Sequence, residues 1–158
     1  MAEGRAIQDL YPEDVSHCFG CGRLNEVGHQ IKTRPDGGNT ATKFTPEPYH
    51  TAIPGYAYGG IVASIIDCHS TGSAAIFAMQ RDGREVGSGP SPRFVTAHLE
   101  VDYLLPTPLK TMHLTGRLVE ITDRKAIVET DLSVDGVVTA RGSAVLVEIS
   151  EDRWQPSG

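Results

Sequence analysis

The sequence predicts an α+β fold in which one long helix lies against an antiparallel sheet of about six strands. Three observations predict it. Between residues 61 and 80, Ile61, Ile65, Cys68, Gly72, Ile76 and Met79 recur at three- and four-residue steps, the period of a helix. From Val95 to Tyr103 the period changes to two, the period of a half-buried strand. Turn residues then divide the remainder into strand-length pieces, and Asp135-Gly136 is the strongest short hairpin signal in the chain.

The elements follow in order. The first 28 residues carry no clear period and read as a short helix or turn plus a folded loop around Cys18-Phe19-Gly20-Cys21-Gly22. Strands are expected at 29–33 and 39–45, with Pro35-Asp36-Gly37-Gly38 as the turn between them. Pro46, Pro48, Pro54 and Gly55 hold the chain in an irregular loop that ends at Gly59-Gly60. The helix follows, and then a loop at 81–93 rich in Gly, Pro, Ser and charge. Beginning with the strand at 95–103, further strands are expected at 111–121, 125–134 and 137–149. One helix cannot cover a six-stranded sheet, so a second subunit is expected to complete the assembly as a homodimer or tetramer.

Composition narrows the classes. The chain has 158 residues, 39% hydrophobic and 22% charged, with a net charge of -6. That fits a folded domain and disfavours nucleic acid as a partner. No charge-free apolar run reaches the roughly 20 residues a bilayer crossing needs, and the N-terminus lacks the pattern of a secretory signal. The expected location is the cytoplasm, with no membrane partner.

The helix carries the candidate chemistry. Gly60, Ala63, Ser64, Asp67, Ser70, Thr71, Ala74 and Ala78 lie along one stripe, and all but Asp67 are small. Such a stripe lets a ligand or another backbone approach, with one carboxylate in its middle. Ser70 and Thr71 are candidate ligand contacts. The amides at a helix start are unsatisfied and sit at the positive end of its dipole. Gly59 and Gly60 leave them bare, so a carbonyl oxygen can approach. Asp67 lies about 10 Å further along the axis than Gly60.

Four segments together resemble the hotdog thioesterases, in particular the branch similar to the phenylacetate-pathway (PaaI-like) acyl-CoA thioesterases. They are His17-Cys18-Phe19-Gly20-Cys21-Gly22 with Asn25 and Gly28, the run from Pro54 to Asp67, the strand Thr96 to Pro106 with its Tyr-x-x-Pro ending, and Asp135-Gly136 through Gly142. The likeness spans residues 16–149. It implies a hotdog domain over 29–150, preceded by an extension over 1–28 and followed by a flexible tail over 151–158. It also implies hydrolysis of acyl-CoA to free acid and coenzyme A, with no cofactor beyond the coenzyme A of the substrate. Asp67 would be general base or nucleophile, Gly60 would sit at the oxyanion site, and Thr96 would orient the attacking water. The helix start and the acid acting on one substrate would come from different subunits. Tyr58 stands where the family has His, and Ala52 where some members have a small polar residue. Tyr58 and Gly59 are expected to line the substrate site. Arg124 and Lys125, at a strand turn, are candidate contacts for the coenzyme A phosphates.

Two rival readings remain open: a non-catalytic acyl-CoA or small-ligand binding protein of the same fold, and a dehydratase. The second needs a His at the helix start, which this chain lacks. Cys18 and Cys21 have the spacing of a zinc half-site, and His17 and His29 are conceivable further ligands. A second Cys pair is missing, so the segment reads as a compact turn near the active site, with no metal. His50, His69, His98 and His113 read as surface or core residues.

Overall fold

The computed structural model describes residues 4–150; the expected tail at 151–158 lies outside them. Two short 3-10 turns, Ile7–Leu10 and Glu13–Val15, lead into β1 (Thr33–Asp36) and β2 (Asn39–Phe44). The helix α1 spans Gly59–Arg81, and β3 (Arg93–Tyr103), β4 (Met112–Ile121), β5 (Lys125–Val134) and β6 (Val137–Ile149) follow. All six strands form one antiparallel sheet in the order β1-β2-β4-β5-β6-β3. The predicted helix on a six-stranded sheet is present.

Local chemistry explains the boundaries. Asp82 caps the end of α1, and Gly83 takes a positive φ of 69°, the usual way a glycine stops a helix. Asp135 and Gly136 both have positive φ, as a tight two-residue hairpin requires. The first strand is displaced from the expected 29–33. It includes Pro35 and Asp36, so the turn shrinks to Gly37-Gly38. A proline fits there because β1 is an edge strand with only β2 beside it. On the outer side, the Gln8 side chain accepts a hydrogen bond from Thr33 N (2.7 Å) and donates one to Thr33 Oγ1 (3.0 Å). A polar side chain thus covers part of the edge.

The helix packs against the sheet along its whole length. Ile65, Ile66, Ile76 and Met79 are fully enclosed, each contributing roughly 1.5–3 kcal/mol of burial. By length and composition α1 would also suit a bilayer, but 78% of its most apolar window is buried inside this protein. Its C-terminal half packs with Ile7, Tyr11, Phe94, Val128 and Leu146. Its N-terminal half packs with Cys21, Ile31, Phe44, Leu114 and Leu132. The segment before residue 29 therefore contributes side chains to both parts of the core.

The polar groups around His69, between helix and sheet, are paired. His69 is fully buried on α1, with Nδ1 2.7 Å from Thr42 Oγ1 and Nε2 3.3 Å from Ser73 Oγ. Thr40 Oγ1 lies 2.6 Å from Ser73 Oγ. Burial pushes the His69 imidazole down to about 3, so it is neutral in the folded protein.

Candidate active site

A partly open stripe runs along α1 through Gly60, Ala63, Ser64, Asp67 and Thr71, while their helical neighbours are buried. Asp67 is the one carboxylate on it. Thr96 Oγ1 donates a hydrogen bond of 2.5 Å to Asp67 Oδ1. The hydroxyl proton is thus directed at the acid.

The sheet reaches Asp67 through an irregularity. Thr96 pairs with Leu146 and His98 with Val145, so Ala97 is an extra residue in β3. A bulge of this kind switches which residues face inward and re-aims side chains near functional sites. Phe94 is buried and Thr96 faces the helix; beyond the bulge, Leu99 and Val101 pack on the core. The simple alternation read from Val95 to Tyr103 put Thr96 on the opposite face from Leu99, and the bulge corrects that.

The start of α1 is shaped by two tyrosines. Tyr58 occupies the N-cap position and makes no side-chain capping bond. Its ring folds over Gly60: a Cβ placed there would lie 2.0 Å from the Tyr58 hydroxyl. A side chain at position 60 would have to turn the half-exposed tyrosine aside, and the helix start is less bare than the glycine pair suggested. Tyr103 donates from its hydroxyl to the Gly59 carbonyl at 2.7 Å, with its ring 3.5 Å from where a Gly59 Cβ would stand. The Tyr-x-x-Pro segment signalled this residue, but nothing in the sequence joined it to Gly59. Beside the helix start, Gly59, Val62, Tyr103, Leu104 and Leu105 line a surface recess of about 380 Å³. Tyr58, Tyr103, Leu104 and Leu105 are each about half exposed, leaving an apolar rim.

Other expected contacts fall differently. Ser70 is buried and donates inward to the Ile66 carbonyl at 2.7 Å, so it offers the open stripe no group. Its place in the stripe was an effect of small size. Thr71 stays partly exposed and donates to the Cys68 carbonyl at 3.0 Å. Arg124 lies in the β4–β5 turn and Lys125 opens β5, at the end where Arg81 donates to the Thr122 carbonyl. Within one chain that is the opposite end of α1 from Gly59. The helix start and Asp67 are themselves about 12 Å apart along the axis, too far to act on one carbonyl.

The cysteines come together as the sequence did not suggest. The sulfurs of Cys18, Cys21 and Cys68 lie within 4.8 Å of one another, and Cys18 Sγ is 3.9 Å from Cys68 Sγ. Cys68, 50 positions after Cys18, carried no signal linking it to the pair. The Cys18 thiol is held well below the ordinary range by the thiols of Cys21 and Cys68 and by backbone N–H groups of Cys21 and Gly20.

No family model and no curated protein matches the chain. Solved structures do match. A thioesterase superfamily protein from Shewanella loihica PV-4 is 42% identical, with 85% of this chain and 96% of that one covered and a TM-score of 0.65. The E. coli PaaI protein of the phenylacetic acid degradation operon is 14% identical over 77% of this chain and 81% of its own, with a TM-score of 0.62. The smu.793 protein of Streptococcus mutans UA159, solved bound to acetyl CoA, is 16% identical over 81% of this chain and 97% of its own, with a TM-score of 0.61.

Proposed function

The chain belongs to the thioesterase superfamily with the hotdog fold, and from that membership we propose that it hydrolyses acyl-CoA thioesters to free acid and coenzyme A. The observation that carries the reading is Asp67, set on the open stripe of the central helix and held by Thr96. The acetyl-CoA bound to the Streptococcus mutans neighbour supports coenzyme A as the carrier.

The chemistry needs a polarised carbonyl and an activated attacker. The amides at the start of α1 serve as oxyanion donors. Because they stand so far from the Asp67 of their own chain, the pair acting on one substrate comes from two copies. The second copy pairs along β3, an 11-residue strand with β6 as its only neighbour in the sheet. Asp67 takes a proton from water, which attacks the carbonyl carbon; alternatively its carboxylate attacks directly and water releases the acid. In either route the C–S bond breaks and coenzyme A leaves as its thiol. The apolar rim at Tyr58, Tyr103 and Leu104 suits an acyl chain. Arg124 and Lys125 of one copy would meet the phosphates, Arg124 through its planar guanidinium and Lys125 as a point charge.

The test is a panel of acyl-CoAs from acetyl to long-chain and aromatic, followed by release of free coenzyme A thiol beside a binding titration. Turnover of at least one class is expected. Binding without release across the panel would move the protein to the second reading, a ligand-binding member of the fold. The Tyr58 ring lying over Gly60 is the observation that favours that second reading.

Thr96 is a positioning residue in this scheme. Thr96→Val keeps its shape but loses a hydrogen bond to a charged group, worth about 1.5–3 kcal/mol, so kcat is expected to fall roughly 10- to 100-fold. KM should stay near wild type, and Thr96→Ser should restore most of the rate. A shift in KM alone would show that Thr96 does not act through Asp67.

A further inference from the structure

We infer that Cys18, Cys21 and Cys68 form a zinc site that ties the N-terminal loop to the middle of α1. The geometry carries this. Thiolates bound to one tetrahedral zinc at about 2.3 Å stand about 3.8 Å apart. Cys18 Sγ and Cys68 Sγ are 3.9 Å apart, and all three sulfurs fall within 4.8 Å of one another. They need only a small adjustment to meet one ion.

The loop is built for close approach of sulfur. A Cβ on Gly20 would lie 2.1 Å from Cys68 Sγ, so a side chain there would collide with the cluster. A Cβ on Gly22 would lie 2.5 Å from both Cys18 N and Ser16 O, and Gly22 N donates to the Cys18 carbonyl at 2.7 Å. The two cysteines are thereby wound into one tight turn facing the helix. Cys21 and Cys68 are buried and Cys18 is exposed. The three sulfurs supply three ligands, and the open Cys18 side admits water as the fourth.

Charge agrees with this assignment. Each thiol gives its proton to solvent on binding, so three thiolates and one divalent ion carry a net charge of -1. The Arg93 guanidinium acts on Cys21 as a nearby positive charge. Its Nε and Nη1 are buried and find no hydrogen-bond partner among the described residues. A negative cluster gives that cation a counter-charge. Three sulfur ligands select a borderline-soft ion such as zinc over magnesium or calcium. Cys68 follows Asp67 directly in the helix, so the site also fixes how α1 presents its open stripe.

The test uses the full chain and the metal alone. Protein purified from zinc-supplemented cells should contain about one zinc per chain. Reduced, metal-stripped protein titrated with cobalt(II) should develop a thiolate-to-cobalt charge-transfer band that saturates at about one equivalent. Cys18→Ser, at the exposed ligand, should keep its far-ultraviolet circular dichroism and give a weaker band, with affinity at least about 100-fold weaker. Absence of the band in reduced wild-type protein overturns the proposal, as does unchanged affinity in Cys18→Ser. A disulfide among the three cysteines together with no metal uptake after reduction does the same. None of these readouts depends on thioester hydrolysis, so the zinc site and the thioesterase reading stand or fall separately.

Discussion

Asp67→Asn is expected to lower kcat on the best acyl-CoA substrate by about 10³-fold and leave the fold intact. Asn is nearly isosteric with Asp, and its side-chain oxygen still accepts the Thr96 hydrogen bond that holds Asp67 at 2.5 Å. It can neither take a proton from water nor attack a carbonyl, and positioned acid–base groups contribute about 10²–10⁴ in rate. The site is only partly buried, on a stripe of small residues, so the change creates no cavity and no orphaned charge. Steady-state kinetics beside a thermal melt checks both halves. The melt should move little, and KM should change far less than kcat, because the carboxylate acts on the transition state and contributes little to holding coenzyme A. Hydrolysis at the wild-type rate would remove Asp67 from the chemistry and leave the fold assignment untouched.

The elements with strong periods were legible from sequence alone. Residues 61–80 read as helix, and α1 runs Gly59–Arg81; the strands expected at 125–134 and 137–149 match β5 and β6. The differences have local physical causes. Pro35 marked a turn but lies in β1, because an edge strand tolerates a residue without an N–H. The bulge at Ala97 was hidden because Val95, Ala97 and Leu99 are all apolar, so the alternation continues unbroken through a register shift. Asp67 and Thr96 were legible as candidates; that one donates to the other was not, since it depends on the bulge. Ser70 shows the opposite error: small residues on one helical stripe need not share exposure, and the sheet and N-terminal segment cover the later turns of α1.

The cysteine cluster and the Tyr58–Gly60 contact share one lesson. The cysteines meet only after folding, and the Tyr58 contact depends on how its side chain turns, so no sequence pattern announces either. Cys68 sits in an apolar helical period where a cysteine reads as an ordinary core residue. Gly60 reads as bare backbone, although a neighbouring ring occupies the space its side chain would fill.

Acid should destabilise this protein steeply, through His69. The imidazole titrates near 6.5 when exposed and is pushed down to about 3 by burial. Between those values the unfolded chain binds a proton at this residue that the folded chain refuses. The stabilising share is therefore fully present above about pH 6.5 and is lost as pH falls toward 3. The slope is about 1.4 kcal/mol per pH unit, or about 3 kcal/mol by pH 4.5. That is a sizeable part of the roughly 5–15 kcal/mol that holds a domain folded. The network around His69 explains why the ring stays neutral. Its partners Thr40, Thr42 and Ser73 are hydroxyls, which can accept or donate but bring no negative charge to balance an imidazolium. Urea unfolding midpoints measured from pH 7.5 to 4.5 check this, with His69→Gln as the comparison. Gln retains hydrogen-bonding groups and does not titrate, so its stability should fall less steeply with acid by about one proton's worth. Parallel pH profiles for the two proteins would mean that other groups, chiefly carboxylates, set the acid limit.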